Sequence, residues 1–365
     1  MSLARQRARV AEVLDAPLLE SPWLRRLEGI SFLGTLDRHP RSRRASSRFE
    51  HSLGVAMLAA EAAAALELDR APSRVFVAAC LLHDIGHYPL SHAAEPAFTK
   101  VLGAGHHEVG RWIVLGEGPI PRARSLRPLL ELHDIDPEGV WAMIDRGPAL
   151  APELAPLAEL LQASINLDTL EGISRVARDF RMRAGKLPEA IFTGGGEGLA
   201  IRASALAAID RFWLLKDQVY DRVINLPSNI LAEARLCELV VDRVDMRVLD
   251  DFEHFDDSAL RRRLGERAFV GAALDGRDDD DYELWTRVDY GQQVGASEPT
   301  PVLSRVRKRY YVDRSVQPRA GALALAQWQS RYRHERVRSW LVSRRKDQLD
   351  LPLDLPRFSE EAPEI

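Results

Sequence analysis

The chain has 365 residues, is 46% hydrophobic and 28% charged, and carries a formal net charge of −4. Its length exceeds one ordinary core, so one large domain with an appendage is expected, and its slightly acidic balance excludes bulk electrostatic capture of nucleic acid or anionic membrane. Only two cysteines occur, Cys80 and Cys237, which excludes a disulfide framework and fits a reducing compartment.

The N-terminus "MSLARQRARVAEVLD" lacks the apolar stretch of a signal peptide, and no run of about eighteen apolar residues occurs, so a cytoplasmic protein with no membrane partner is expected. Residues 49–70, "FEHSLGVAMLAAEAAAALELDR", are rich in Ala, Leu and Glu and read as helix. Residues 73–85, "SRVFVAACLLHDI", read as a buried helix with Ser73 as N-cap, broken by Gly86 and Pro89. Residues 106–116, 153–180 and 203–223 also read as helices. "IFTGGGEGLAIR" (191–202) reads as a β-hairpin, without the Gly-Lys-Ser/Thr ending of a phosphate-cradling loop.

Beyond about residue 246 the texture changes. "GRDDDDYELW" reads as a solvated acidic loop, "RVRKRYYVD" as a basic β-prone piece, and "LPLDLPRFSEEAPEI" as a frayed tail. The expected architecture is mainly α. A helical bundle with an N-terminal helical extension fills 1–245, with a small β-hairpin, and a mixed α/β region fills 246–365.

Chemistry concentrates in two stretches. "RFEHSLGV" (48–55) and "LLHDIGHYPLSHAAE" (81–95) hold four of the ten histidines. A carboxylate such as Asp84, set in an apolar helix, is costly to bury without a cation or strong donors. His83 beside it adds an imidazole, and this pair suits a borderline divalent metal. His51 on the preceding helix and Asp168 in "LLQASINLDTLEGISRVARD" can complete the set, since Leu161, Ser164, Ile165 and Asp168 share one helical face. The stretch "RHPRSRRASSR", five arginines in eleven residues, fits a solvated loop and an anion-binding loop equally.

In this order, His51, His83-Asp84 and Asp168 resemble the signature of the HD-domain metal-dependent phosphohydrolases. "RFEHSLGV", "HDIGHYPLSHAAE" and "HHEVG" are similar, more narrowly, to the deoxynucleoside triphosphate triphosphohydrolase branch, and weaker similarity runs from "SPWLRRLEGISFLG" through "LLKDQVYDRV" and "FDDSALRRRL" to "RKRYYVD". The resemblance implies an HD-domain helical bundle in which His51, His83, Asp84 and Asp168 bind a divalent metal ion: Mn, Fe, Co, Ni, Zn or Mg. It further implies that Arg48 contacts a phosphate, that His87 reaches the phosphates, that His92 and Glu95 form a catalytic pair, and that His107 is a further active-site histidine. Lys216 and Tyr220 fall near positions that contact substrate. The implied reaction releases a nucleoside and triphosphate from a deoxynucleotide, and the branch usually forms homo-oligomers, for which 246–365 is the candidate interface. A second ion held by His87, His92 or His106 is a variant of the same site.

The sequence departs from the branch after the last ligand. Asp168-Thr169-Leu170-Glu171-Gly172 stands where Asp-Lys-x-x-Tyr is usual, Val176 replaces a later aspartate, and Arg222 replaces a histidine. Other nucleotides, single-stranded nucleic acid, and a nucleotide sensor without turnover therefore stay open as alternatives.

Overall fold

The computed structural model describes residues 3–39, 41–145, 150–152, 154–163, 166–183, 191–195, 198–274, 282–289, 302–312, 322–330 and 332–344. The helices are α1 (Leu3–Leu14), α2 (Ala16–Leu19), α3 (Pro22–Glu28), α4 (Arg48–Ala65), α5 (Arg70–Leu82), α6 (Glu95–Leu102), α7 (His106–Leu115), α8 (Arg127–Leu132), α9 (Pro137–Asp145), α10 (Ala155–Gln162), α11 (Leu167–Asp179), α12 (Ala203–Val219), α13 (Pro227–Arg243), α14 (Asp257–Leu264), α15 (Glu266–Leu274) and α16 (Leu325–Ser330). The strands are β1 (Phe192–Gly195), β2 (Gly198–Arg202), β3 (Tyr282–Asp289), β4 (Leu303–Val312), β5 (Ala322–Ala324) and β6 (Tyr332–Arg344).

The hub is α4. Ser47 starts it by accepting a hydrogen bond from Glu50 N (3.2 Å). Its Ala56, Ala59, Ala60, Ala62 and Ala63 are buried, and these small side chains let α1, α3, α5 and α11 pack around it. Helix α5 packs on α4 with its interior face of Val75 to Leu82 almost wholly buried. The mainly α expectation holds. The hairpin at 191–202 forms, and it gains a partner from far along the chain, because β2 also pairs antiparallel with β5. A second antiparallel sheet, in the order β3-β6-β4, contains the basic "RVRKRYYVD" piece in β4. The aspartate run 278–281 and the tail 351–365 lie outside the described residues.

Four local expectations shift. The first predicted helix stops at Ala65, five residues short of its expected end at 70. Helix α5 begins at Arg70, and Ser73 lies inside its first turn with Oγ donating to Leu68 O (3.2 Å), so Ser73 is not the N-cap. Pro72 explains the earlier start, since a first-turn residue needs no intrahelical N–H bond. The predicted 153–180 helix divides at Asn166, whose Nδ2 donates to Leu161 O (2.7 Å) while its Oδ1 accepts from Thr169 N (2.6 Å). One side chain thus closes off α10 and caps α11. Lastly, α5 ends at Leu82, so His83 and Asp84 stand on the turn that follows it.

That turn presses on α7. A Cβ on Gly86 would fall 2.0 Å from His106 O and 2.3 Å from Gly110 N, both backbone atoms that cannot move aside. Gly86→Ala is therefore expected to destabilise the fold by about 3 kcal/mol or more, measurable by urea denaturation. Unchanged stability would show that the turn has slack.

Candidate metal centre

Four side chains from three segments converge. His51 comes from α4, His83 and Asp84 from the turn after α5, and Asp168 from the first turn of α11. His51 Nε2 lies 3.0 Å from Asp168 Oδ1 and 3.5 Å from Asp84 Oδ2. His83 Nε2 lies 3.3 Å from Asp84 Oδ2 and 3.9 Å from Asp168 Oδ1. The opposite edge of each ring is held: His51 Nδ1 bonds Glu171 (2.7 Å) and His83 Nδ1 bonds Cys80 O (2.9 Å).

Carboxylate and carbonyl oxygens only accept, so both Nδ1 atoms carry hydrogen and both Nε2 atoms point inward, able to act as acceptors when the ring is neutral. Both Nε2 atoms are buried and have no hydrogen-bond partner. Two orphaned imidazole nitrogens facing two carboxylates are a donor set that fits a divalent cation, with outer bonds fixing each ring.

Electrostatics agrees. Burial pulls the His83 imidazole down, but the charge of Asp84, with help from Asp168, pushes it up to about 9. His51 is raised too: burial opposes this, and the nearby carboxylates of Asp168 and Glu171 outweigh it. Asp168 drops to about 2, because the adjacent His51 and His83 overcome burial. Asp84 is held well below the carboxylate range; its burial is overcome by His83, Arg48 and His87.

Arg48, expected at a phosphate, is 4% exposed and committed to Asp84. Its Nη1 donates to Asp84 Oδ2 (2.7 Å), its Nε to Ser91 Oγ (2.7 Å), and its guanidinium lies 4.8 Å from the Phe32 ring centre. Phe32 also covers the His51 ring at 4.6 Å. Sequence reasoning missed Glu171 and Arg175. Arg175 bonds Glu171 and the Glu50 backbone, so His51, Glu171 and Arg175 form a buried relay. The signal was present in the spacing Asp168, Glu171, Arg175, three and then four residues along one helix face.

A second cluster lies beside the first. His87 is fully buried, neither of its ring nitrogens has a hydrogen-bond partner, and Nε2 sits 3.2 Å from Asp84 Oδ1. Burial and Arg48 hold its imidazole well below its usual range. Its ring stacks on His106 at 4.2 Å and meets His92 edge-on at 4.5 Å. Glu95 accepts from His92 Nδ1 (2.8 Å), from His106 Nδ1 and from His106 N (3.2 Å). The structure thus brings His87, His92, Glu95 and His106 together, whereas His107 is exposed, its ring 4.4 Å from that of His106.

Both clusters adjoin a cavity of about 400 Å³ whose lining includes Arg48, His92, Asp168, Lys216 and Tyr220. Tyr220 opens a π-helical turn, Tyr220–Ile224, that ends α12 and brings Ile224 and Asn225 to the same cavity. Gly172, Ile173 and Val176 form its α11 wall. At Gly172 a Cβ would meet Phe32 Cζ at 3.3 Å and His51 Cε1 at 3.5 Å, so the missing side chain lets α11 pack closely against the Phe32 and His51 rings.

Residues 48–147 match the HD domain family, a span that holds His51, His83 and Asp84. A metal-dependent phosphohydrolase of Cordyceps militaris is 29% identical over 177 residues, covering 47% of this chain and 42% of its own. Uncharacterized proteins of Mycoplasma pneumoniae and Mycoplasma genitalium are 26% and 25% identical over 64% and 70% of this chain, which spans 57% and 63% of their lengths. A solved phosphohydrolase of Bacteroides thetaiotaomicron shares the fold, with a TM-score of 0.61 at 14% identity over 90% of this chain and 95% of that one. The family match thus places an HD domain in residues 48–147, and the solved structure shows that the fold is shared over most of the chain. No helix among the described residues is long and apolar enough to cross a membrane.

Glu171→Gln weakens the hold on the His51 tautomer and is expected to lower Mn²⁺ affinity about 10- to 100-fold in equilibrium dialysis. Affinity equal to wild type would remove Glu171 from the centre. Proton linkage gives a second expectation. With its metal-free value at about 9, His83 must lose a proton to bind a cation. Titration calorimetry in buffers of different ionisation enthalpy should then show proton release at pH 7, with affinity rising about tenfold per pH unit toward pH 9. Without metal the sign reverses for folding: the stability from this raised value is complete below 6.5 and is lost as pH climbs through about 9.

Proposed function

We propose that the chain hydrolyses phosphate ester or anhydride bonds of nucleotides, most specifically deoxynucleoside triphosphates to deoxynucleoside and triphosphate. The observation that carries this reading is the inward-facing His51, His83, Asp84 and Asp168 set at a cavity that also presents Lys216 and His92.

A divalent cation held by His51, His83, Asp84 and Asp168 would polarise a phosphoryl oxygen and lower the pKa of a water. Lys216 supplies positive charge to a phosphate chain, and the apolar wall of Phe32, Ile173, Val176 and Ile230 excludes water around the rest of the substrate. Glu95 fixes the Nδ1–H tautomer of His92, which leaves Nε2 to take a proton from the attacking water. The new bond forms between water oxygen and the α-phosphorus. The bond from phosphorus to the 5′ oxygen breaks, and that oxygen receives the proton. His87, neutral and buried beside Asp84, would donate its one N–H to a phosphate oxygen. Arg48 contributes charge to the same region while it holds Asp84.

A second reading draws on Gly172 and Val176, which line the cavity, and on the exposed Arg41, Arg43 and Arg44: this wall and the basic loop would suit another nucleotide or single-stranded nucleic acid. Purified protein with Mn²⁺ should be incubated with all dNTPs, NTPs, mononucleotides and a single-stranded oligonucleotide. Triphosphate release supports the first reading; monophosphate or diphosphate release, or cleavage of the oligonucleotide alone, supports the second. A bound cation with no turnover of any substrate would leave a nucleotide sensor. In the active case, Glu95→Gln is expected to lower kcat about 10²- to 10⁴-fold with metal content unchanged.

A further inference from the structure

We propose that Asp257, the first residue of α14, is a positioning residue of the metal centre that acts through the Leu90–Ser91 turn and Arg48. This rests on the hydrolase reading only for its kinetic consequence; the structural claim concerns the cation site itself.

The neighbouring Asp256 already caps α14, its Oδ1 accepting from Ala259 N (2.8 Å). Asp257 is thereby released from capping, and both of its carboxylate oxygens leave their own helix. Oδ2 accepts from Ser31 N (3.0 Å) and Oδ1 from Leu90 N (2.7 Å), while Asp257 N donates to Gly29 O (3.2 Å). One side chain joins the segment before α4 to the segment after the His83-Asp84 turn.

What it holds is under strain. Leu90 and Ser91 both adopt left-handed backbone, at φ 62° and 53°, a conformation unfavourable for residues with a Cβ and seldom found twice in succession. The turn places the Ser91 hydroxyl where it donates to Ser31 O (2.6 Å) and accepts from Arg48 Nε (2.7 Å). Arg48 then donates to Asp84 Oδ2 (2.7 Å). Ser31 is gripped at both ends, its N–H by Asp257 and its carbonyl by Ser91. The path from α14 to the candidate metal ligand is thus three hydrogen bonds joined by the Leu90–Ser91 peptide link: Asp257 to Leu90 N, Ser91 Oγ to Arg48 Nε, and Arg48 Nη1 to Asp84, with the Ser91 hydroxyl also anchored on Ser31 O. Arg26 supports the same segment from below, donating to Ile85 O (2.7 Å) and His87 O (2.8 Å).

The test uses the full chain loaded with Co²⁺, whose visible absorption reports ligand geometry. Asp257→Asn keeps the shape but exchanges one acceptor for a donor, and Asp256→Ala removes the cap without touching the turn. Asp257→Asn is expected to shift the Co²⁺ bands and to raise the Co²⁺ Kd about tenfold, with kcat lowered more than KM is changed. Asp256→Ala should lower Tm yet keep the wild-type bands and Kd. Wild-type bands and affinity in Asp257→Asn, alongside a lowered Tm, would overturn the proposal and leave Asp257 merely structural. Wild-type protein that binds Co²⁺ but hydrolyses nothing overturns the hydrolase reading alone, because the Co²⁺ readout still decides Asp257. Failure of wild type to bind Co²⁺ overturns both.

Discussion

Asp84 is a carboxylate at 5% exposure, and the organisation of the centre follows from the need to keep it charged there. Removing such a group from water is tolerable only when cations and donors surround it at short range. Arg48 supplies a permanent charge at 2.7 Å, and the two imidazoles His83 and His87 approach its opposite oxygens at 3.3 and 3.2 Å. Each of these partners needs support of its own. Arg48 leans on Ser91 and Phe32, His83 on the Cys80 carbonyl, and the turn that bears them on Arg26 and Tyr88, whose hydroxyl donates to Ala104 O (2.6 Å).

The histidines around Asp84 have unlike surroundings. His51 and His83 sit among carboxylates that raise them against burial, whereas His87 is depressed by burial, by Arg48 and by further histidines. Similar side chains a few ångströms apart are thus biased toward opposite protonation states. This is the arrangement expected where a cation is gripped on one flank and protons are moved on the other.

Legibility in the sequence followed the range of the interactions. The helical class came from Ala- and Leu-rich stretches such as 49–70, and the hairpin from its glycine cluster, because both are local signals. That His51, His83, Asp84 and Asp168 could converge is legible because their residue types are unusual in apolar surroundings. Asp168 arrives from the first turn of α11, not along one continuous helical face, because Asn166 ends one helix and starts another. Contacts whose meaning depends on distant chain stayed hidden. Nothing in "RFEHSLGV" says that Arg48 would spend its guanidinium on Asp84, and nothing in "FDDSALRRRL" separates Asp256, which caps its own helix, from Asp257, which does not. The neighbours His106 and His107 were likewise indistinguishable until α7 turned one toward Glu95.

The pairing of β2 with β5 has a consequence for biosynthesis. Ala200 faces Ala324 across a ladder that skips more than one hundred residues of intervening chain. During translation the segments bearing His51, His83, Asp84 and Asp168 leave the ribosome long before β5 exists, so the hairpin edge at β2 is open for that whole interval. Synthesis at about 5–20 residues per second makes the interval some seconds long, far longer than helices and hairpins need to form. The nascent protein therefore passes through a stage in which the segments bearing the candidate metal ligands can assemble while one strand edge waits for β5.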